Sequence, residues 1–352
     1  MRFRRARSLI IHWKRGKLII ENYRTRVSVS ASPVTIGILH FLDSWRSPEY
    51  AFRRLPEYSR ASVRAAVGQL ARQTLLVKEG SREAREDARL EKVWSAWLPY
   101  GSFHFGTKDV KYVRGWRREQ LHKSYFADSP QPAFSKSYRH APRRALPPGL
   151  PASGEFPRVL LSRKTHRQFS RASVPLSAVS RLLFLTWGVM GHLPSSFGRL
   201  FHKTSPSGGA RHPGEVYLVA LRVEGLSPGL YHYNARSHIL ELLRKGQMRD
   251  LAFHYCGGQP HARQAAALFL MTAVFRRTMW KYRFARVYRA VLLETGHLCQ
   301  TFCLTATWLG LAPFCTAALN DSMIERDLGV DGITESVLYV AGVGMPRQQD
   351  GP

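Results

Sequence analysis

Apolar positions change period several times along the chain, and each change marks an element. Ser8 to Trp13 and Lys17 to Tyr23 are β-rich apolar runs separated by Lys14-Arg15-Gly16, a pattern that predicts a hairpin. Ser32-Pro33 then supplies a helix N-cap and a first-turn proline, after which Ile36, Leu39, Phe41, Leu42 and Trp45 recur at helical spacing. A second helix is expected from Ser59 to Gln73, where Val63, Val67 and Leu70 share a face. Thr74 to Lys78 follows as a short strand closed by Glu79-Gly80. Hairpin, helices and strand together suggest a small winged-helix-like module over residues 1–81.

The next stretch, 82–157, reads as a helical connector and linker. Arg82 to Trp97 alternates charged and apolar residues as an exposed helix does, and Phe103 to Thr107 opens a less regular segment. Pro142, Pro147, Pro148, Pro151 and Pro157, with Gly149 and Gly154, mark the linker. Beyond it, 158–346 forms the main domain. Glu215 to Leu221 and Gly229 to Tyr233 have strand patterns around a turn at Gly225 to Pro228. Ala265 to Phe275 is apolar but too short to cross a bilayer, so it is a buried strand or helix. Val291, Leu292, Leu298, Phe302 and Ala306 predict a buried central helix ending at Gly310, with Gly296 permitting close packing and His297 a core histidine. Ala312 to Ala318 reads as a loop after that helix, without glycine.

Composition narrows the setting. The 352 residues carry 53 Lys+Arg against 24 Asp+Glu, a formal charge of +29. Such a field favours polyanions, anionic membranes, acidic peptides or phosphate-bearing cofactors. Arg60, Arg64 and Arg72 on the second helix invite a nucleic-acid reading, but basic residues recur throughout and no recognition-helix code stands out, so nucleic acid is disfavoured without being excluded. A peptide clamp, in which an extended peptide adds to a strand edge, suits the module better, beside a role in assembly alone. Cys256, Cys299, Cys303 and Cys315 are too sparse for a disulfide scaffold and lack the paired spacing of zinc ligands, so no metal is expected. The apolar run behind the basic start is broken by His12, Lys14 and Arg15, too soon for a secretory signal. A soluble, cytoplasmic protein without membrane attachment is the expectation.

Three stretches carry chemistry. Arg163, Thr165 and Arg167 alternate, and on an extended backbone they present two guanidiniums and a hydroxyl to one phosphate. Ser205-Pro206-Ser207-Gly208-Gly209-Ala210-Arg211 combines small residues with backbone freedom, letting main-chain N–H groups approach a flat polar ring. Lys281-Tyr282 precedes the central helix and its Glu294-Thr295-Gly296-His297 segment. Singly, these stretches are also a basic tripeptide, a flexible turn and a packed tyrosine beside a solvated lysine.

In order, Arg163-x-Thr165-x-Arg167-x-Phe169, Pro206-Ser207-Gly208-Gly209-Ala210-Arg211-x-Pro213, Pro228 to Tyr233, and Lys281-Tyr282 with Glu294-x-Gly296-His297-x-x-Gln300 resemble the SagB-type, or McbC-like, dehydrogenases of the nitroreductase superfamily, over about residues 158 to 346. The resemblance implies an α+β fold, a nitroreductase-like antiparallel sheet flanked by helices, in a homodimer that holds FMN non-covalently. It implies oxidation of thiazoline or oxazoline rings in a precursor peptide, delivered by cyclodehydratase partner proteins. FMN contacts map onto Arg163, Thr165, Arg167, Ser205, Pro206, Ser207, Gly208, Gly209, Ala210 and Arg211, and catalysis onto Lys281 and Tyr282. His212-Pro213 stands where Tyr-Pro is frequent.

Aromatising an azoline removes a proton and a hydride, and the protein must manage the proton. Tyrosine and lysine titrate near 10, so their adjacency matters: an ammonium favours a phenolate beside it, and a dry pocket favours neutral lysine. Tyr282 is assigned as base or relay with Lys281 its electrostatic partner, the reverse remaining open. Two other functions compete, a flavin-free scaffold of a peptide-modifying complex and a flavin oxidoreductase acting on a small nitro or quinone substrate.

Overall fold

The computed structural model describes residues 1–347 except 112, 114, 129–152 and 197. Its largest element is a six-stranded antiparallel sheet. The strands run in the order Ile239–Lys245, Gly229–Asn234, Gly214–Ala220, Ala267–Val274, Glu335–Gly344 and Ala312–Thr316. The apolar run at 265–275 is the central strand, and alternation divides its side chains between two faces. Ala267, Phe269 and Met271 join one core with Leu182, Trp187 and Phe302, beneath helices Leu176–Trp187 and Tyr288–Trp308. Leu268 and Leu270 join a second core with Tyr255, Phe314 and Ile324, under helices Arg249–Tyr255 and Asp321–Leu328. Burial on both faces explains why this strand lacks a polar stripe. The α+β sheet flanked by helices is the architecture expected.

Ala312 to Ala318 departs from expectation. Ala312–Thr316 is an edge strand, pairing Phe314 with Gly342, and not a loop. A Cβ at Gly342 would lie 2.4 Å from the Phe314 ring, so the glycine at 342 makes room for that ring on the neighbouring strand.

At the N-terminus, Leu9–Lys14, Lys17–Asn22 and Val27–Ser30 form a three-stranded antiparallel sheet, with Arg15 and Gly16 both at positive φ in the hairpin turn. Helices Pro33–Phe41 and Arg60–Arg72 begin at Ser32 and Ser59, whose hydroxyls cap the Thr35 and Ser62 N–H groups. The strand Leu76–Lys78 pairs with Phe3–Arg5. Ile20, Ile38, Leu42, Val63, Val67 and Leu70 fill the core between them. Arg60 and Arg64 both engage Glu49, each at 2.7 Å, so two of the helix's cations are already partnered within the module.

The region after this module is more integrated than its alternating charges suggest. Helix Arg82–Trp94 buries Ala84, Asp87, Leu90, Val93 and Trp94, and Phe103 to Thr107 falls mainly within the helix Gly101–Gly106. Trp94, Trp97 and Phe105 pack with Phe275, Tyr288 and Val291 of the sheet domain. The Trp94 indole N–H donates to the Ile333 carbonyl at 3.1 Å, and His104 Nδ1 lies 2.8 Å from the Tyr288 hydroxyl. A buried Lys108–Glu325 pair at 2.6 Å adds a polar tie. The proline-rich stretch 142–151 lies outside the described residues.

Candidate functional site

The loop before strand Gly214–Ala220 and the Lys281-Tyr282 pair meet. Gly209 sits at φ +62°, and a Cβ built there would fall 2.5 Å from the Tyr282 hydroxyl and 2.8 Å from Lys281 Nζ. Two motifs separated by more than seventy residues therefore present a hydroxyl, an ammonium and an exposed stretch of backbone to the same point. Lys281 is exposed and Tyr282 half-buried, in the short connection between helix Phe275–Met279 and the turn Ala285–Val287 that leads into Tyr288–Trp308. Ala210 and His212 also hold positive φ, at 53° and 43°, so three residues of this loop share a left-handed conformation that only glycine adopts freely.

Hydrogen bonds lock that conformation. Ser207 Oγ accepts from the His212 N–H at 2.8 Å, and Ser205 Oγ lies 2.8 Å from the Thr301 hydroxyl of the long helix. His212 Nε2–H donates to the Phe201 carbonyl at 3.0 Å. Burial, with the nearby Lys203 charge, drops the His212 pKa to about 4, so its ring is neutral at physiological pH. Arg211 donates to the Arg277 carbonyl at 3.1 Å and stacks over Trp280, 4.7 Å from ring centre.

Beneath the loop is a residue the motif reading left without a role. Glu294 is 5% exposed. Burial raises its carboxyl pKa to about 7, against the opposing pull of the Ser207 hydroxyl, the Lys203 charge and the Gly208 N–H. Lys203 is itself pushed down by burial, with Glu215 and Glu294 opposing. Arg277 pairs with Glu215 at 2.5 Å and donates to the His212 carbonyl at 3.1 Å. Glu294 lies in phase with the buried Val291, Leu298 and Phe302, and a carboxylate inside an apolar stripe is the signal that marks it in the sequence. By contrast, Gly296 and His297 are exposed on this helix, so neither is the core residue expected.

The arginine stretch takes a different position. Residues 163–168 are irregular, anchored where the His166 N–H donates to the Pro313 carbonyl at 2.9 Å. Thr165 and Arg167 are exposed. Arg167 lines an open cleft of about 740 Å³ with Arg171, His261 and Arg347, whereas the half-buried Arg163 places its charge near Cys303 and Cys315. Arg163 and the Ser207–Gly209 loop approach the same long helix at different heights. Glu294 and Cys303 are nine residues apart, about 13 Å along the axis. A second cleft, about 800 Å³, touches the loop at Arg211 and is lined also by Trp94, Trp97, Arg277, Trp280 and Arg283.

Three of the four cysteines converge, which their spacing did not announce. The sulfurs of Cys299, Cys303 and Cys315 lie within 4.8 Å of one another.

The antiparallel sheet, the long helix across it and the glycine loop at that helix's buried carboxyl are matched by a family model: residues 160–345 fit the nitroreductase family, and the chain belongs to it. Its relatives include the trifolitoxin-processing protein TfxB of Rhizobium leguminosarum bv. trifolii, 26% identical over 328 residues that cover 85% of each chain. Another is the microcin B17-processing protein McbC of Escherichia coli, 32% identical over 144 residues, 40% of this chain and 53% of that one. Both agree with the McbC-like resemblance of the motifs. Among solved structures, the E. coli microcin synthetase McbBCD complex with truncated pro-MccB17 bound gives a TM-score of 0.48 at 22% identity, covering 75% of this chain and 93% of that one. No helix among the described residues is long and apolar enough to cross a membrane.

Proposed function

We propose that the protein is an FMN-dependent dehydrogenase that oxidises thiazoline or oxazoline rings of a ribosomally made precursor peptide to azoles. The observation that carries this reading is the convergence of Lys281 Nζ and the Tyr282 hydroxyl on Gly209. Supporting it are two relatives whose names describe the processing of trifolitoxin and of microcin B17.

The residues fit a flavin. Gly209, lacking a Cβ, lets the Tyr282 hydroxyl and the Lys281 amine close against the loop backbone, which keeps the loop's main-chain groups and the pair side by side at one edge of a planar ring. Ser207, Gly208 and Ala210 shape the loop, with Ser205 and Pro206 fixing its entry and Arg211 held against Trp280. Arg163, Thr165 and Arg167 are assigned to the phosphate. When bound, FMN supplies a two-electron acceptor for the substrate's hydride.

The chain's own part is to place the ring and take its proton. Tyr282 Oη is the base or relay, and Lys281, its Nζ 5.4 Å from the phenol ring centre, is its electrostatic partner. The 800 Å³ cleft that Arg211 and the exposed Trp280 line admits an extended peptide. In this reading the N-terminal module docks the precursor, cyclodehydratase proteins supply it, and two copies of the chain form the working homodimer in the cytoplasm.

Purification without added cofactor, a visible spectrum and release of the chromophore test the first half. Yellow protein that releases FMN is expected. An azoline peptide then tests the second, with Tyr282→Phe expected to lower turnover by about 10²- to 10⁴-fold and Lys281→Ala to lower it while flavin stays bound. A folded, colourless chain that refuses FMN overturns the proposal in favour of a scaffold. Turnover of a quinone but of no azoline peptide moves it to a small-molecule oxidoreductase.

A further inference from the structure

We infer that Cys299, Cys303 and Cys315 form a binding site for a soft, thiophilic d10 cation, with monovalent copper the best match and zinc the next. The site needs no bound flavin, although it shares Arg163 with the proposed phosphate contacts.

Two of the ligands are one turn apart on helix Tyr288–Trp308, and the third comes from the edge strand Ala312–Thr316 that returns alongside it. Side chains four residues apart on a helix share a face, so Cys299 and Cys303 project together. All three sulfurs already lie within 4.8 Å of one another. A metal bound at about 2.3 Å by three sulfurs in one plane holds them about 4.0 Å apart. Closure by less than about 1 Å completes that geometry, within the reach of small χ1 rotations. Both supporting elements are regular structure, which fixes ligands more tightly than loops do.

Two further groups face the sulfurs. Cys315 Sγ accepts from the Tyr339 hydroxyl at 3.2 Å. Arg163 places a positive charge close to both Cys303 and Cys315. Three thiolates with one monovalent ion carry two negative charges, and the Arg163 cation offsets one of them. Cys299 and Cys303 are buried at 4% and 6% exposure while Cys315 is half-buried, so the strand side is the entrance. Thiolate donors select copper(I) and zinc over harder ions. Binding exchanges S–H protons, released to solvent, for metal–sulfur bonds, with no change in oxidation state.

The test uses the full chain, fully reduced and anaerobic, titrated with Cd²⁺ and with Cu⁺ supplied as its acetonitrile complex. Thiolate-to-metal charge-transfer absorption should rise to a plateau at one ion per chain. Cys303→Ser and Cys315→Ser should each weaken binding at least tenfold. Cys256→Ser, whose sulfur lies in the core on the opposite face of the sheet, should leave it unchanged. X-ray absorption at the copper edge of the wild type should count three sulfur neighbours, a measurement that stands even where a serine variant fails to fold. Absence of a stoichiometric plateau, a plateau unaltered by Cys315→Ser, or nitrogen and oxygen neighbours around the copper would overturn the assignment.

Discussion

Glu294 should make the folded protein lose stability as pH rises through neutrality. Its carboxyl titrates at about 7 in the folded chain, against an ordinary value of 4.5, chiefly because burial disfavours the anion. Between those two values the folded state holds a proton that the unfolded state has released. Stability therefore falls as pH increases across that window, by up to about 1.4 kcal/mol per pH unit for one group. The full effect is present below pH 4.5 and gone above 7, where the buried anion costs about 3 kcal/mol relative to the acid. Glu294→Gln keeps the shape and the acceptor for Gly208 while removing the titration. Urea unfolding of both proteins at pH 5, 6, 7 and 8 reads the difference, in which groups remote from Glu294 cancel and its neighbour Lys203 shares in the change. The variant should gain about 2 to 3 kcal/mol on the wild type between pH 5 and pH 8. If the two stabilities stay parallel to within about 0.5 kcal/mol across that range, Glu294 is not held in its acid form and its place under the loop has been misjudged.

Two further predictions rest on geometry. Gly209→Ala places a methyl against Tyr282 and Lys281 and imposes a left-handed backbone on alanine, about 1 to 2 kcal/mol of strain. It should weaken flavin retention, read by equilibrium dialysis, while far-UV circular dichroism is unchanged. Trp94→Ala removes the indole around which Trp97, His104, Phe105, Phe275 and Tyr288 pack, and should cost about 3 to 5 kcal/mol in urea unfolding. Its protease nicking should begin near residues 95 to 110, where the loosened contacts lie.

What could be read from the sequence was what repeats locally. Strand Ala267–Val274 was legible as a buried run, since covering both faces leaves Thr272 as its one polar side chain, but that same continuity left strand and helix undistinguished. The hairpin and the capped helices near the N-terminus followed from Arg15-Gly16, Ser32-Pro33 and Ser59, whose effects reach only a few residues. The glycine loop and the Lys281-Tyr282 pair were legible as motifs, but not the fact that they touch. Contacts that depend on a third element stayed hidden. Trp94 reads as one apolar residue in a charged helix until Phe275 and Tyr288 are brought against it. Cys315 joins its partners only because the chain reverses at Gly310 and the strand returns beside the helix. Lys203 gains its electrostatic setting from Glu215 and Glu294, residues on two other elements.

The aromatic contact around Trp94 also bears on how such chains diversify. Tyr288 opens the helix that carries Glu294, and its hydroxyl is held by His104. The first hundred or so residues are therefore the socket in which that helix is footed, not a cartridge on a tether. Exchange of this segment between homologous genes would succeed only where donor and recipient share the indole face. Substitutions at 94, 97, 104, 275 and 288 should accordingly be inherited as a set, while the sequence further upstream drifts on its own.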